Sequence, residues 1–217
     1  MSRKDKKDFT KERLLNEAEA LFAQKGYDAV SVREITAAAH CNLAAVNYHF
    51  GNKQNLYLEV FRARWVPRAK RLQEYFRESL ASQDSPTPAA VAKSLAQAFL
   101  VGPLSDEERH RHHQLMAREL GQPTEALELV AKQVMRPFFK ELADTFRSFM
   151  PDGMEEERLI LNILSMFAMV LYFNFARVAV TRITGCEYDV AFKRQLVEHI
   201  AEFSLKGLGR TEKEKLG

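Results

Sequence analysis

A chain of 217 residues is long enough to bury a core without disulfide or metal staples, and it leaves room for one or two domains. Hydrophobic residues at 46% and charged residues at 28% exclude a disordered chain and give no support to a fibrous one. Nine glycines and seven prolines disfavour a turn-rich, many-stranded fold, and a formal net charge of +3 points to nucleic acid only if it is concentrated in one region.

Helical signals run through the chain in order. Thr10 caps a segment in which Leu14, Leu15, Ala18, Leu21 and Phe22 follow the helical period, and Gly26 stops it. Ser31 with Glu34 forms a capping box opening a short helix through Ile35 and Ala38 to about Ala39. After a break of about three residues, Asn42 caps a second short helix from Leu43 to about Phe50. Gly51 and Asn52 punctuate before a longer helix from near Lys53, with Leu56, Val60 and Phe61 inward and Pro67 kinking or ending its first part.

Residues 82–88, rich in Ser, Pro and Asp, read as a linker. A helix from about Ala89 to Leu100 follows, and Ser105 with Glu108 opens a polar helix to about Leu120, stopped by Gly121 and Pro123. Thr124 caps the next, to about Phe149 with a kink at Pro137, and Pro151, Asp152 and Gly153 form a turn. From about Met154 to Thr184 comes one long helix, some 45 Å at 1.5 Å per residue, and 189–208 forms the last. The expectation is an all-α chain of about nine helices without internal repeat.

Cys41 and Cys186 cannot build a disulfide framework, so a reducing, cytoplasmic setting is expected, and the charged start lacks the apolar stretch of an export signal. Leu159 to Ala176 runs eighteen residues without a charge. Asn162, Ser165 and Asn174 interrupt it and no Trp marks its ends, so a helix covered by core or partner is expected rather than a membrane span.

Two short helices packed on a longer one outline a helix-turn-helix. On the second short helix Val46 and Phe50 share one face, while Ala44, Ala45, Tyr48 and His49 point the other way. Alanine methyls can meet thymine methyls, Asn47 has the paired donor and acceptor that suit adenine, and Tyr48, His49 and Lys53 can reach phosphates. Up to Arg64 there are eleven basic residues against eight acidic, while the remainder has 21 of each, so the whole surplus lies at this end. Within it Arg3, Lys4, Lys6, Lys7, Lys11 and Arg13 outnumber Asp5, Asp8 and Glu12, a basic arm that either contacts DNA or merely solubilises.

The segment from Ser31 to Ala39, then Ala44-Ala45-Val46-Asn47-Tyr48-His49-Phe50-Gly51-Asn52-Lys53 and Leu56, resembles the TetR/AcrR family of transcriptional regulators over roughly Thr10 to Phe61. The family usually has Gly-Val-Ser across the turn where this chain has His40, Cys41 and Asn42, so a strained turn is expected at His40. The resemblance implies that Arg33, Leu43, Ala44, Ala45, Asn47 and Tyr48 line the major groove, with Asn42 at their edge, and that His49 and Lys53 hold the backbone. The family often has Tyr where Asn47 stands, so its operator is not carried over. Arg118-Glu119-Leu120, Pro123-Thr124, and Leu129-Val130 leading to Gln133-Val134-Met135-Arg136-Pro137 are similar to the C-terminal domain of the CecR-like subgroup.

These readings divide the chain into a DNA-binding domain, 1–52, and a ligand-binding and dimerisation domain, 53–217. Methionines among aromatics suggest a lipophilic pocket drawn from Phe99, Met116, Met135, Phe138, Phe139, Phe167, Tyr172 and Arg177, for a small lipophilic or aromatic effector. His110, His112 and His113 lack a partner ligand at metal spacing and read as solvated or pocket-rim residues, and Arg118 with Glu119 either as a local pair or as groups that orient a ligand. No metal and no cofactor are expected. The resemblance implies a homodimer through the last two helices, hence a palindromic operator. The reading is a repressor without enzymatic activity. The alternatives are a helical lipophile carrier or an all-α enzyme that does not bind DNA.

Overall fold

A computed structural model describes residues 3–83, 87–149 and 155–207, and every regular element among them is a helix. These are α1 (Arg3–Lys25), α2 (Val32–Ala38), α3 (Ala44–Phe50), α4 (53–81), α5 (Pro88–Leu100), α6 (Asp106–Gly121), α7 (125–147), α8 (Glu156–Phe175), α9 (Arg177–Thr184) and α10 (Val190–Gly207). Side chains set most of the starts, each oxygen accepting from an N–H that the first turn leaves without a partner. Ser31 Oγ accepts from Glu34 N–H at 3.1 Å, Asn42 Oδ1 from Ala44 N–H at 2.9 Å and Asn52 Oδ1 from Asn55 N–H at 2.8 Å. Thr87 and Thr124 cap α5 and α7 in the same way, and Asp189 Oδ1 accepts from Phe192 N–H at 2.8 Å at the start of α10.

The first helix begins at Arg3 rather than Thr10, because nothing from Arg3 to Phe9 is a glycine or proline and Thr10 falls inside a running helix. The expected basic arm is therefore the opening of α1, with the side chains up to Lys6 outside the described residues. The expected turn at 151–153, the helix start at Met154, the central part of the linker (84–86) and Leu208 also lie outside them.

Among the described residues the count is ten helices rather than nine, because the expected helix from 154 to 184 is interrupted at Ala176 (φ −94°, ψ 20°). Asn174 explains the break. Its buried amide donates to the Val170 carbonyl at 2.9 Å, offering that oxygen a side-chain donor in addition to the backbone ladder. The Tyr188 hydroxyl then donates to the Phe173 carbonyl at 2.8 Å, supplying a donor at the interrupted turn.

Neither internal proline ends its helix. Pro67 follows a π-helical turn, Phe61–Trp65, in which Val66 N–H donates to the Phe61 carbonyl, and Pro137 follows another, Ala131–Met135. A proline ring would otherwise meet the carbonyl one turn back, and the wider turn accommodates it.

The chain forms two compact units, one of residues up to 69 with 106–133 and one of residues 70–105 with those from 134 onward. In the first, α1, α2, α3, the beginning of α4, and α6 enclose Leu14, Phe22, Ile35, Val46, Leu56 and Leu115, all with no exposed surface. In the second, α10 lies along α5, and α8 packs on α5, α7 and α10 around Leu72, Leu95, Leu142, Val170 and Ile200.

The α2–α3 turn is a Schellman closure. His40 N–H donates to Ala37 O at 3.1 Å and Cys41 N–H to Thr36 O at 2.8 Å, which requires a left-handed residue at His40. Its φ of +46° is the only positive value at a non-glycine among the described residues, as the missing family glycine implied. His40→Gly is expected to relieve about 1 kcal/mol of backbone strain and to raise the midpoint of thermal unfolding of the full chain by a few degrees.

Candidate nucleic-acid interface

Recognition by a helix requires one face held by the core and another left for the groove, and α3 divides in this way. Val46 and Phe50 are buried against the rest of the first unit, while Leu43 (45% exposed), Ala44, Asn47 and Tyr48 (70% exposed) are open to solvent and Ala45 and His49 are half-buried. Arg33 on α2 and Asn42 in the turn are exposed as well. The helical wheel therefore located the buried face of α3, and of the four residues it set opposite, Ala44 and Tyr48 are open while Ala45 and His49 are half-buried.

The sequence did not show how α1 reaches this face. Lys7 Nζ lies 5.1 Å from the centre of the Tyr48 ring, and Lys11 Nζ lies 5.9 Å from Phe50 while pairing with Glu59 at 3.1 Å. The spacing of Lys7 and Lys11 on one face of α1 was the available signal. Burial and then the two ammonium groups push the His49 imidazole below its usual pKa, so near neutral pH it is an uncharged hydrogen-bonding group rather than a cation. Lys53, half-buried, places its ammonium 4.3 Å from the centre of the Tyr27 ring, so its charge sits over an aromatic face.

The turn itself is anchored from outside. The Arg13 guanidinium donates to the Ala39 carbonyl at the end of α2, and Lys25 pairs with Glu34. Behind the face, Tyr57 donates its hydroxyl to Glu119 at 2.6 Å, and the same carboxylate accepts from Thr124 N–H (2.9 Å), the Thr124 hydroxyl and Leu127 N–H (3.1 Å). Burial, then the adjoining carboxylate, raises the Tyr57 pKa and keeps the phenol a donor. Arg118 and Glu119 do not pair with each other as expected, for Arg118 donates to the Gln24 carbonyl at 2.6 Å near the end of α1.

The three histidines of α6 also differ from expectation. His110 is exposed, but His112 and His113 are 2% and 5% exposed, so they are core residues rather than solvated or rim ones. The reason is tertiary. Trp65 stacks on His112 at 4.4 Å and donates its indole N–H to the His112 carbonyl at 3.0 Å. No group of three His, Cys, Asp or Glu side chains converges on a common point among the described residues.

Of the residues expected to line an effector pocket, three aromatic ones come together and the others lie in different surroundings. Phe99, Phe139 and Phe167 meet in the second unit at ring distances of 5.0 and 5.3 Å, and Phe138 packs on Phe76 at 5.6 Å. Met135 is half-buried, whereas Met116 is buried in the first unit. Tyr172 is 53% exposed, and Arg177 lies 4.7 Å over the Tyr188 ring.

Residues 14–60 match the bacterial regulatory proteins of the tetR family, and residues 91–208 match the C-terminal domain of the HTH-type transcriptional dual regulator CecR. The chain belongs to the TetR family, with a C-terminal domain of the CecR type. It is similar to the HTH-type transcriptional dual regulator CecR of Shigella flexneri, 30% identical over 183 residues that cover 81% of this chain and 80% of that one. A solved TetR-family regulator from Bordetella parapertussis shares the fold with a TM-score of 0.65 at 19% identity, covering 93% of this chain and 97% of that chain. A transcriptional regulator from Rhodococcus does so with a TM-score of 0.64 at 18% identity, covering 91% and 96%. This TetR-family chain is accordingly a DNA-binding transcriptional regulator and not an enzyme.

Burial, reinforced by His113, Arg68 and Arg109, depresses the His112 pKa well below 6.5. The unfolded chain then takes a proton that the folded one refuses, so stability is lost as pH falls below about 6.5. His112→Phe keeps a ring on Trp65 and is expected to flatten that acid slope in urea unfolding measured between about pH 7 and pH 5.

Proposed function

We propose that the chain acts as a homodimeric, cytoplasmic repressor that reads a near-palindromic operator with one α2–α3 head per copy and is released by a small lipophilic or aromatic effector. The observation that carries the reading is α3 itself, which buries Val46 and Phe50 and offers Ala44, Asn47 and Tyr48 to solvent with the Lys7 ammonium seated on the Tyr48 ring. In this reading residues 1–52 contact DNA and 53–217 serve ligand binding and dimerisation. Arg33, Asn42, Leu43, Ala44, Ala45, Asn47 and Tyr48 face the groove, Asn47 toward adenine, while His49 and Lys53 hold phosphates.

A dimer is supported by surface that one copy leaves bare. Along α8 the exposed residues Leu161, Leu164, Ala168, Tyr172 and Phe175 form a stripe at helical spacing, and Phe203 is exposed on α10. Such a stripe fits a four-helix interface between copies. Although α8 is long and apolar enough to cross a membrane, a second copy is the better partner, because Asn174 and the opposite face already serve a packed core. Effector binding shifts the middle helices, and these move α4 and change the spacing of the heads, so effector and DNA oppose each other reciprocally. A second reading, activation at some promoters, draws support from the name of the Shigella flexneri relative, a dual regulator.

Selection of bound fragments from genomic DNA tests the proposal, an enriched near-palindrome being expected. Tyr48→Ala is expected to weaken that complex by about tenfold or more, and Lys53→Ala to lower the dependence of log K on log salt by about one. Unchanged binding in both variants would remove the assigned face. Leu164→Glu is expected to sediment as a monomer and to lose operator binding.

A further inference from the structure

The second unit contains a cavity apart from the aromatic cluster around Phe167. It measures about 190 Å³, is open on one side, and lies between the end of α7 (Phe146), α8 (Asn162, Ile163, Ser165, Met166, Met169) and α10 (Phe203, Ser204). Its floor is buried and apolar, with Phe146, Ile163 and Met166 between 1% and 3% exposed. An apolar cavity of ~150 Å³ in a protein interior is large enough to bind benzene. This one therefore has room for a single ring with a small substituent.

Polar chemistry at the cavity is limited, which narrows the ligand. Among the described residues no lining side chain carries a charge, so an ionised group would enter without a counter-ion from them. The Ser165 hydroxyl is committed to the Leu161 carbonyl at 2.9 Å. The Ser204 hydroxyl is not committed. It is buried, on a residue 6% exposed, and has no hydrogen-bond partner among the described residues. A buried hydroxyl left unsatisfied is a cost that whatever fills the adjoining cavity can remove. The remaining walls are the Asn162 carboxamide, the Ile163 side chain, and thioether and phenyl groups, the last two of which favour aromatic surface.

We infer that the α7–α8–α10 cavity is a binding site for a neutral one-ring compound bearing a hydroxyl, its ring held between Phe146, Ile163 and the two methionines and its hydroxyl exchanging a hydrogen bond with Ser204. Binding is a property of the second unit alone. Only its regulatory consequence rests on the reading of the chain as a ligand-responsive repressor.

Phenol and toluene, equal in size and different in the hydroxyl, are suitable probes, titrated into the full chain without DNA and followed by ligand-observed NMR. Phenol is expected to bind at least about fivefold more tightly than toluene, the equivalent of one net hydrogen bond. Ser204→Ala is expected to reduce phenol to the affinity of toluene and leave toluene unchanged. Ser204→Leu, which fills the cavity, is expected to abolish both, with helix content and thermal midpoint recorded for each variant to show that it folds. Three results overturn the inference: no phenol bound at about 10 mM, equal affinity for the two probes, or binding indifferent to Ser204→Leu. A second copy whose own side chains fill the cavity gives the first of these. Because DNA is absent, failure leaves the operator reading standing, and phenol binding without an enriched operator would remove only that reading.

Discussion

The Glu119 carboxylate, 1% exposed, is held by the Tyr57 hydroxyl, the Thr124 N–H and hydroxyl, and the Leu127 N–H. Removing a carboxylate from water costs several kcal/mol, and hydrogen bonds to a charged acceptor return about 1.5–3 kcal/mol each, so a set of four outweighs the cost where one or two would not. Three helices meet at this point. Tyr57 belongs to α4, Glu119 to α6, and Thr124 and Leu127 to the start of α7, so the carboxylate fixes the helix that follows the reading head and also caps the next. A seven-residue helix such as α3 has too few backbone bonds to be stable alone. Its orientation comes from Val46 and Phe50 set into that frame.

A second buried carboxylate does the same work from α1. Glu19, 1% exposed, faces Arg68 from α4 and Arg111 from α6 at 3.6 Å, and Arg68 in turn faces Glu108 at 3.6 Å. The charges of this unit thus divide into two populations. One is internal and fully matched, and orders the helices. The other, Lys7 with Lys11 and Lys53 beside α3, sets its ammonium groups over the Tyr48, Phe50 and Tyr27 rings, and of these the Lys11 ammonium is also paired with Glu59.

Elements whose start is a local matter were legible in the residues. Ser31, Asn42, Asn52 and Thr124 each satisfy an N–H two or three residues away, and a window of that size contains the whole interaction. The open face of α3 was legible for the same reason, since its wheel is set by Val46 and Phe50. What escaped was decided at a distance. The break at Ala176 depends on Asn174 turning inward and on Tyr188 meeting the freed carbonyl. His112 and His113 stand in a strongly polar stretch, and only Trp65, far away in sequence, shows that they face a core. The effector region was the least legible part, because Met and Phe mark apolar interior wherever they occur and do not distinguish a filled core from a cavity.

The two π-helical turns have a consequence for how such a chain is compared with its relatives. A π turn holds roughly one more residue than an α turn, so the side-chain phase established before Phe61 does not carry past Trp65, and the phase before Ala131 does not carry past Met135. Each offset lies just ahead of a proline and close to where the chain passes between its two units, at 69 and at 133. An ungapped alignment across either segment assigns inward and outward positions correctly on one side and rotated on the other. Homologues that lack Pro67 or Pro137 have no ring to accommodate and can run a regular helix with one residue fewer. A single-residue deletion there is then a change of helical phase, with the sequence on both sides still corresponding residue for residue.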